Sequence, residues 1–108
     1  MERVYNKLVR DRIPEIIMNN GETPVTRVLN EFEYKEELEK KLLEEYKEVI
    51  EATGNDRIEE LADMLEVIRA LGNLENTTIE EIINIADVKN DRRGAFNNKI
   101  FLEKVVEK

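Results

Sequence analysis

Apolar residues recur along the chain mostly at helical spacing, and the breaks between runs fall on glycine, proline and asparagine. Ile13, Ile16 and Ile17 mark a short helix over residues 13–19. Pro14 sits in its first turn, where a missing N–H costs nothing, and Gly21 ends it. Residues 22–29 alternate and are β-branched, but Pro24 limits them to an extended connector or a short edge strand. Asn30 is placed to cap a long helix that runs to about Thr53, where Gly54 and Asn55 break it. A second long helix is expected from about Asp56 to Leu71, stopping in Gly72-Asn73-Leu74-Glu75-Asn76. Thr77 with Glu80 makes a capping box for a further helix through about Arg92, ended by Gly94. In the tail, 95–108, Ile100, Leu102, Val105 and Val106 suit either a short helix or an extended docked segment. No repeat or linker divides the chain. The pattern predicts one all-α domain over residues 1–108: an antiparallel helical bundle built on the 31–53 and 56–71 hairpin, with a short N-terminal helix and an extended connector.

Helical phase separates ordinary charges from unusual ones. With Leu38 at zero and about 100° per residue, Val49, Leu42, Tyr46 and Ala52 fall between about −40° and +80°, an apolar stripe that should be buried. Glu45 falls inside that stripe at about −20° and Glu48 at its edge near −80°, whereas Glu44 points away. On the next helix Ile58, Leu61, Ala62 and Leu65 form one apolar sector, and Met64, Val67 and Leu71 form another nearly opposite, so burial is expected on two sides. Glu60 and Asp63 lie within or beside the second sector, while Glu59, Glu66 and Arg69 fill the exposed strip. Each long helix thus aims a carboxylate pair, spaced i, i+3, at the inside. Four carboxylates converging there repel one another and hold their protons unless a cation neutralises them. All-oxygen ligation suits Mg²⁺, or Mn²⁺, better than Zn²⁺. The structural alternative is a pair of buried salt bridges to Lys41 or Arg57.

Composition narrows the chemistry further. The chain has no Cys, His, Ser, Gln or Trp, which removes thiolate and imidazole metal sites and the Ser-His and Cys-His nucleophilic arrangements. Catalysis would rest on carboxylates, Lys, Arg, Tyr, Thr or a metal-activated water. With 25 acidic against 17 basic residues the net charge is −8, which disfavours nonspecific binding to nucleic acid. No apolar run has the length of a membrane span or the form of a signal peptide, so a cytoplasmic location is expected. At 108 residues the core will be modest, and a homo-oligomer, a dimer or a tetramer, is expected to supplement it.

The strings Glu45-Tyr-Lys-Glu48 and Glu60-Leu-Ala-Asp63, on consecutive helices, resemble the ExxE…ExxD signature of the all-α nucleoside triphosphate pyrophosphatase superfamily, to which MazG-like proteins belong. Residues 5–15, from Tyr5-Asn6-Lys7-Leu8-Val9-Arg10 through Ile13-Pro14-Glu15, and Arg93-Gly94-Ala95-Phe96 are similar to the MazG-like and phosphoribosyl-ATP pyrophosphohydrolase-like members. The resemblance spans nearly the whole chain. It implies that Glu45, Glu48, Glu60 and Asp63 hold Mg²⁺ and that a nucleoside triphosphate is cleaved between its α- and β-phosphates to a monophosphate and pyrophosphate. Glu44 or another spare carboxylate would accept the proton.

Outer phosphate oxygens call for cations. Lys7 and Arg10 are the first candidates, the alternative being ion pairs with Asp11 or Glu15. On the helix after Thr77, the stripe Ile79, Ile82, Ile83 and Ala86 continues through Asn90 to Arg93. Arg93 should therefore face inward, with Lys89 one turn back, as a phosphate clamp beside Gly94 and Phe96. The alternative is capping of the helix C-terminus. Two other readings stay open at this point, phosphoribosyl-ATP pyrophosphohydrolysis and a non-catalytic acidic helical module that binds a partner.

Overall fold

Local capping decides where the helices begin. Asn30 accepts the N–H of Glu33 at 2.8 Å through its side chain, opening α2, Glu31–Glu51. Thr78 accepts the N–H of Glu81 at 3.2 Å, opening α4, Ile79–Arg93. The cap is one residue later than the Thr77–Glu80 pairing expected, because the run Thr77-Thr78-Ile79-Glu80-Glu81 contains two overlapping capping boxes. Thr77 instead donates its hydroxyl to the Glu81 carboxylate at 2.6 Å. Upstream, α1 spans Ile13–Asn19 with proline in its first turn and reverses at Gly21, whose φ of +83° a side chain would strain.

The computed structural model describes residues 1–107, so Lys108 of the tail lies outside the described residues. Four helices are present and no strand among those residues; the fold is all-α. Residues 22–29 are an extended connector, and residues 95–107 form neither helix nor strand. No helix of the described residues is long and apolar enough to cross a membrane.

The dominant packing is α2 against α3, Gly54–Leu74, joined through Ala52 and Thr53 into an antiparallel hairpin. Arg57 braces the corner by donating its Nε to the Val49 carbonyl at 3.0 Å. Both ends of α3 differ from expectation. The helix starts at Gly54 and continues through Gly72 to Leu74. Gly72 is a contact point, not a stop: a Cβ there would lie 2.8 Å from Cδ1 of Ile82 and 3.4 Å from Cγ2 of Thr77. The missing side chain lets α4 seat against α3.

Little else is buried. Among the described residues, Leu38, Val67 and Ile79 are the buried hydrophobic ones, at 3%, 6% and 5% exposure. Of the two apolar sectors on α3, the one with Val67, Met64 and Leu71 faces α2; Ile58, Leu61 and Leu65 stay exposed, and so does Tyr46 on α2. Burial on two sides is therefore not met within one chain, because α4 leaves that sector uncovered. The radius of gyration is 18.9 Å, against about 13 Å for a compact chain of this length.

Candidate functional site

The antiparallel hairpin brings the inward acids together from two directions. Glu45 of α2 is 7% exposed, and Glu60 and Asp63 of α3 are partly buried. One carboxylate oxygen from each of these three lies within 4.8 Å of the others. Neither the Glu45 Oε2 nor the Glu60 Oε2 atom has a hydrogen-bond partner among the described residues. Such orphaned buried oxygens are costly and require an explanation.

The salt bridges that would have explained them do not form. Lys41 stands 4.0 Å from Glu44, not beside Glu45, and Arg57 is committed to the Val49 carbonyl. Burial, first of all, then neighbouring Glu48 and Asp63, push the Glu45 carboxyl up to about 7, with Lys41 opposing only weakly. The Glu60 carboxyl is also raised, first by Glu48, then by burial and by Asp63 and Asp56.

Glu48 differs from the other three. It is exposed and stands at the mouth, lining an open hollow of about 370 Å³ with Glu51, Ala52, Asp56, Glu59 and Glu60. Helical phase places Glu45, Glu60 and Asp63 inside and Glu48 at the rim. Glu44, turned outward, accepts the Lys7 ammonium at 2.7 Å, which lowers its carboxyl below the usual range.

The N-terminal segment supplies the cations nearest the acids. Arg10 donates to Asp63 at 2.9 Å and Lys7 to Glu44 at 2.7 Å, so both reach across to the hairpin and not to Asp11 or Glu15. Sequence reasoning had no signal for these partners, since separations of 53 and 37 residues leave no periodic trace. Lys89 and Arg93 are not brought to the acids. Both are exposed, and Arg93 lines a separate hollow with Gly94 through Ile100. The inward expectation for Arg93 fails because α4 touches α3 near its own start and packs on no other helix among the described residues. Arg92 and Arg93 do lie in the last turn of α4, where cations complement the helix dipole.

No family model matches the chain, and no solved structure matches it. An uncharacterized protein of Mycolicibacterium smegmatis is 50% identical over 50 residues, 46% of this chain. The chain spans about half the length of that relative, with 51% covered.

Proposed function

We propose that the chain is a Mg²⁺-dependent nucleotide pyrophosphohydrolase, converting a nucleoside triphosphate to a monophosphate and pyrophosphate. The observation that carries this reading is the buried Glu45 carboxylate, its Oε2 unpartnered, gathered with Glu60 and Asp63 from the facing helix. An all-oxygen donor set with orphaned atoms fits a hard divalent cation, Mg²⁺ or Mn²⁺. Glu45, Glu60 and Asp63 would hold it, with Glu48 at the mouth. When bound, the cation supplies charge neutralisation at the phosphates and a water of lowered pKa.

The chain's own groups account for the rest. Lys7 and Arg10 stand over the acid cluster, and exchanging a carboxylate partner for a phosphate oxygen places positive charge where the substrate's charge is largest. Releasing Asp63 from Arg10 frees a ligand oxygen in the same motion. Glu44, freed from Lys7, loses the ion pair that lowers its carboxyl and so regains the basicity needed to accept a proton. The open hollow beside Glu48 and Glu60 is the side from which a nucleotide reaches the cluster. The resemblance of the ExxE and ExxD strings to the all-α pyrophosphatases supports the same reaction.

The test is a panel of canonical and modified nucleoside triphosphates, with phosphoribosyl-ATP, incubated with Mg²⁺ and the purified protein. Pyrophosphate with monophosphate is expected, and Glu45→Gln should lower the rate by at least about a hundredfold, roughly 2.7 kcal/mol. Orthophosphate with a diphosphate product, or full activity in Glu45→Gln, would overturn the proposal.

A further inference from the structure

The N-terminal arm, residues 1–21, is held to the hairpin by charge. Its helix, α1, has no buried residue and packs against no other helix among the described residues. Along residues 1–12, Leu8 alone is half-buried and the rest are exposed. Arg3 pairs with the connector, 2.7 Å from Glu22. The ion pairs that reach the hairpin are those of Lys7 with Glu44 and of Arg10 with Asp63. Both are exposed, and an exposed pair favours the closed arm by no more than about fivefold.

Lys7 and Arg10 together bring the charge of one divalent cation to the edge of the acid cluster. The acids act on Lys7 at a distance: its ammonium holds its proton more firmly than an ordinary lysine, first because of Glu44 and then because of Glu48 and Glu45. Neither cation enters the cluster. Their side chains stay 54% and 58% exposed, and the buried Glu45 Oε2 and Glu60 Oε2 atoms keep no hydrogen-bond partner among the described residues. The arm thus offsets the charge of the cluster and leaves its buried oxygens unsatisfied, whereas a compact divalent cation can do both. Asp63 is where the two meet, as the acceptor of Arg10 and as one of the three converging acids.

We infer that the N-terminal arm is an electrostatic latch: Arg10 and Lys7 compete with the divalent cation for the acid cluster, and a loaded cluster releases the arm. Like charges repel, so a closed arm and a loaded cluster disfavour each other. The coupling is reciprocal, which means that the arm lowers cation affinity by the factor with which the cation opens the arm. A triphosphate that takes over Lys7 and Arg10 removes the competition, so nucleotide and cation favour each other's binding. The latch rests on the cation site proposed above and adds the control of access to it.

The full chain without nucleotide provides the test. Titrated with Mg²⁺ in a calorimeter, Arg10→Gln should bind about threefold more tightly than the parent, and Lys7→Gln combined with Arg10→Gln about tenfold. Arg12→Gln loses the same charge, but the partner of Arg12 is Glu15 inside the arm, 3.4 Å away. Its Mg²⁺ affinity should therefore stay within about 1.5-fold of the parent. In limited trypsin digestion, Mg²⁺ should speed cleavage after Lys7 at least about threefold, measured against cleavage after Lys104 in the tail. In Arg10→Gln that cleavage should be fast without Mg²⁺. Equal or weaker Mg²⁺ binding by Arg10→Gln, with helicity intact by circular dichroism, would overturn the latch, and so would cleavage after Lys7 that ignores Mg²⁺. A parent that binds no Mg²⁺ overturns the latch and the proposed reaction together, whereas Mg²⁺ binding with the arm still closed overturns the latch alone.

Discussion

Leu43 and Glu45 stand two positions apart on α2, and their surroundings are the reverse of what solvation alone would arrange: the leucine is 65% exposed and the glutamate 7%. The side of the hairpin that holds Glu45 also holds Glu60 and Asp63, with Lys7 and Arg10 drawn over it from the N-terminal segment. The side that holds Leu43 leaves its apolar residues exposed among the described residues. Each side is unfavourable as it stands, one because buried carboxylates repel and the other because apolar area meets water. The difference is in what relieves each. A small, hard cation would relieve the first, and a broad apolar surface the second.

The comparison breaks most completely at the spine the two sides share. Leu38→Ala, at a buried position of α2, should cost about 2–5 kcal/mol in urea unfolding and weaken the proposed cation response with it. An unchanged cation response in a destabilised variant would show that the acid side does not depend on this packing.

Next in size is the acid side alone. The Glu45 carboxyl rises from 4.5 to about 7 in the folded chain, so the folded state keeps its proton where the unfolded state has lost it. The penalty is absent below about pH 4.5 and complete above about pH 7, and it destabilises the cation-free protein by roughly 1–3 kcal/mol as pH rises through that window. Glu45→Gln should remove this slope. The melting temperature in chelator at pH 7.5 should then exceed that of the parent by several degrees, while the parent alone gains from added Mg²⁺. Parallel pH slopes in the two proteins would count against the buried repulsion.

Smaller effects sharpen the boundary. Thr78→Ala removes the α4 cap at a cost of about 1 kcal/mol by thermal unfolding and should leave both sides of the hairpin working. Arg10→Ala breaks an exposed pair with Asp63, worth about 0.2–1 kcal/mol, so its stability effect should be close to the detection limit. Its apparent KM for a triphosphate should nevertheless rise, and an unchanged KM would remove Arg10 from substrate binding.

Much of this organisation was legible in the sequence, and the failures share a cause. Helix α1 and the connector were set by Pro14, Gly21 and Pro24, and the start of α2 by Asn30, all through local stereochemistry. The inward placement of Glu45, Glu60 and Asp63 followed from helical phase, since phase is fixed once a helix is long and the apolar stripe is clear. Phase also marked the Ile58, Leu61 and Leu65 sector as one that needs cover, yet it carries no information on which surface provides it. From the sequence Gly72 reads as a stop because a glycine there shows only its helix cost, whereas its value here is the space it leaves for Ile82. Phase turns Arg93 inward in the sequence pattern because it describes rotation about an axis and not the direction in which the axis points.

That last point gives the Gly72–Ile82 contact mechanical weight. From Ile82 to Arg93 the helix extends about 16 Å at 1.5 Å per residue, and α4 rests on α3 near this one end. A tilt of about 10° at the joint swings Arg93 through about 3 Å, by the same lengths. The notch left by one absent side chain thus acts as a fulcrum, and the aim of the basic C-terminal turn is set by how a single isoleucine methyl seats against it.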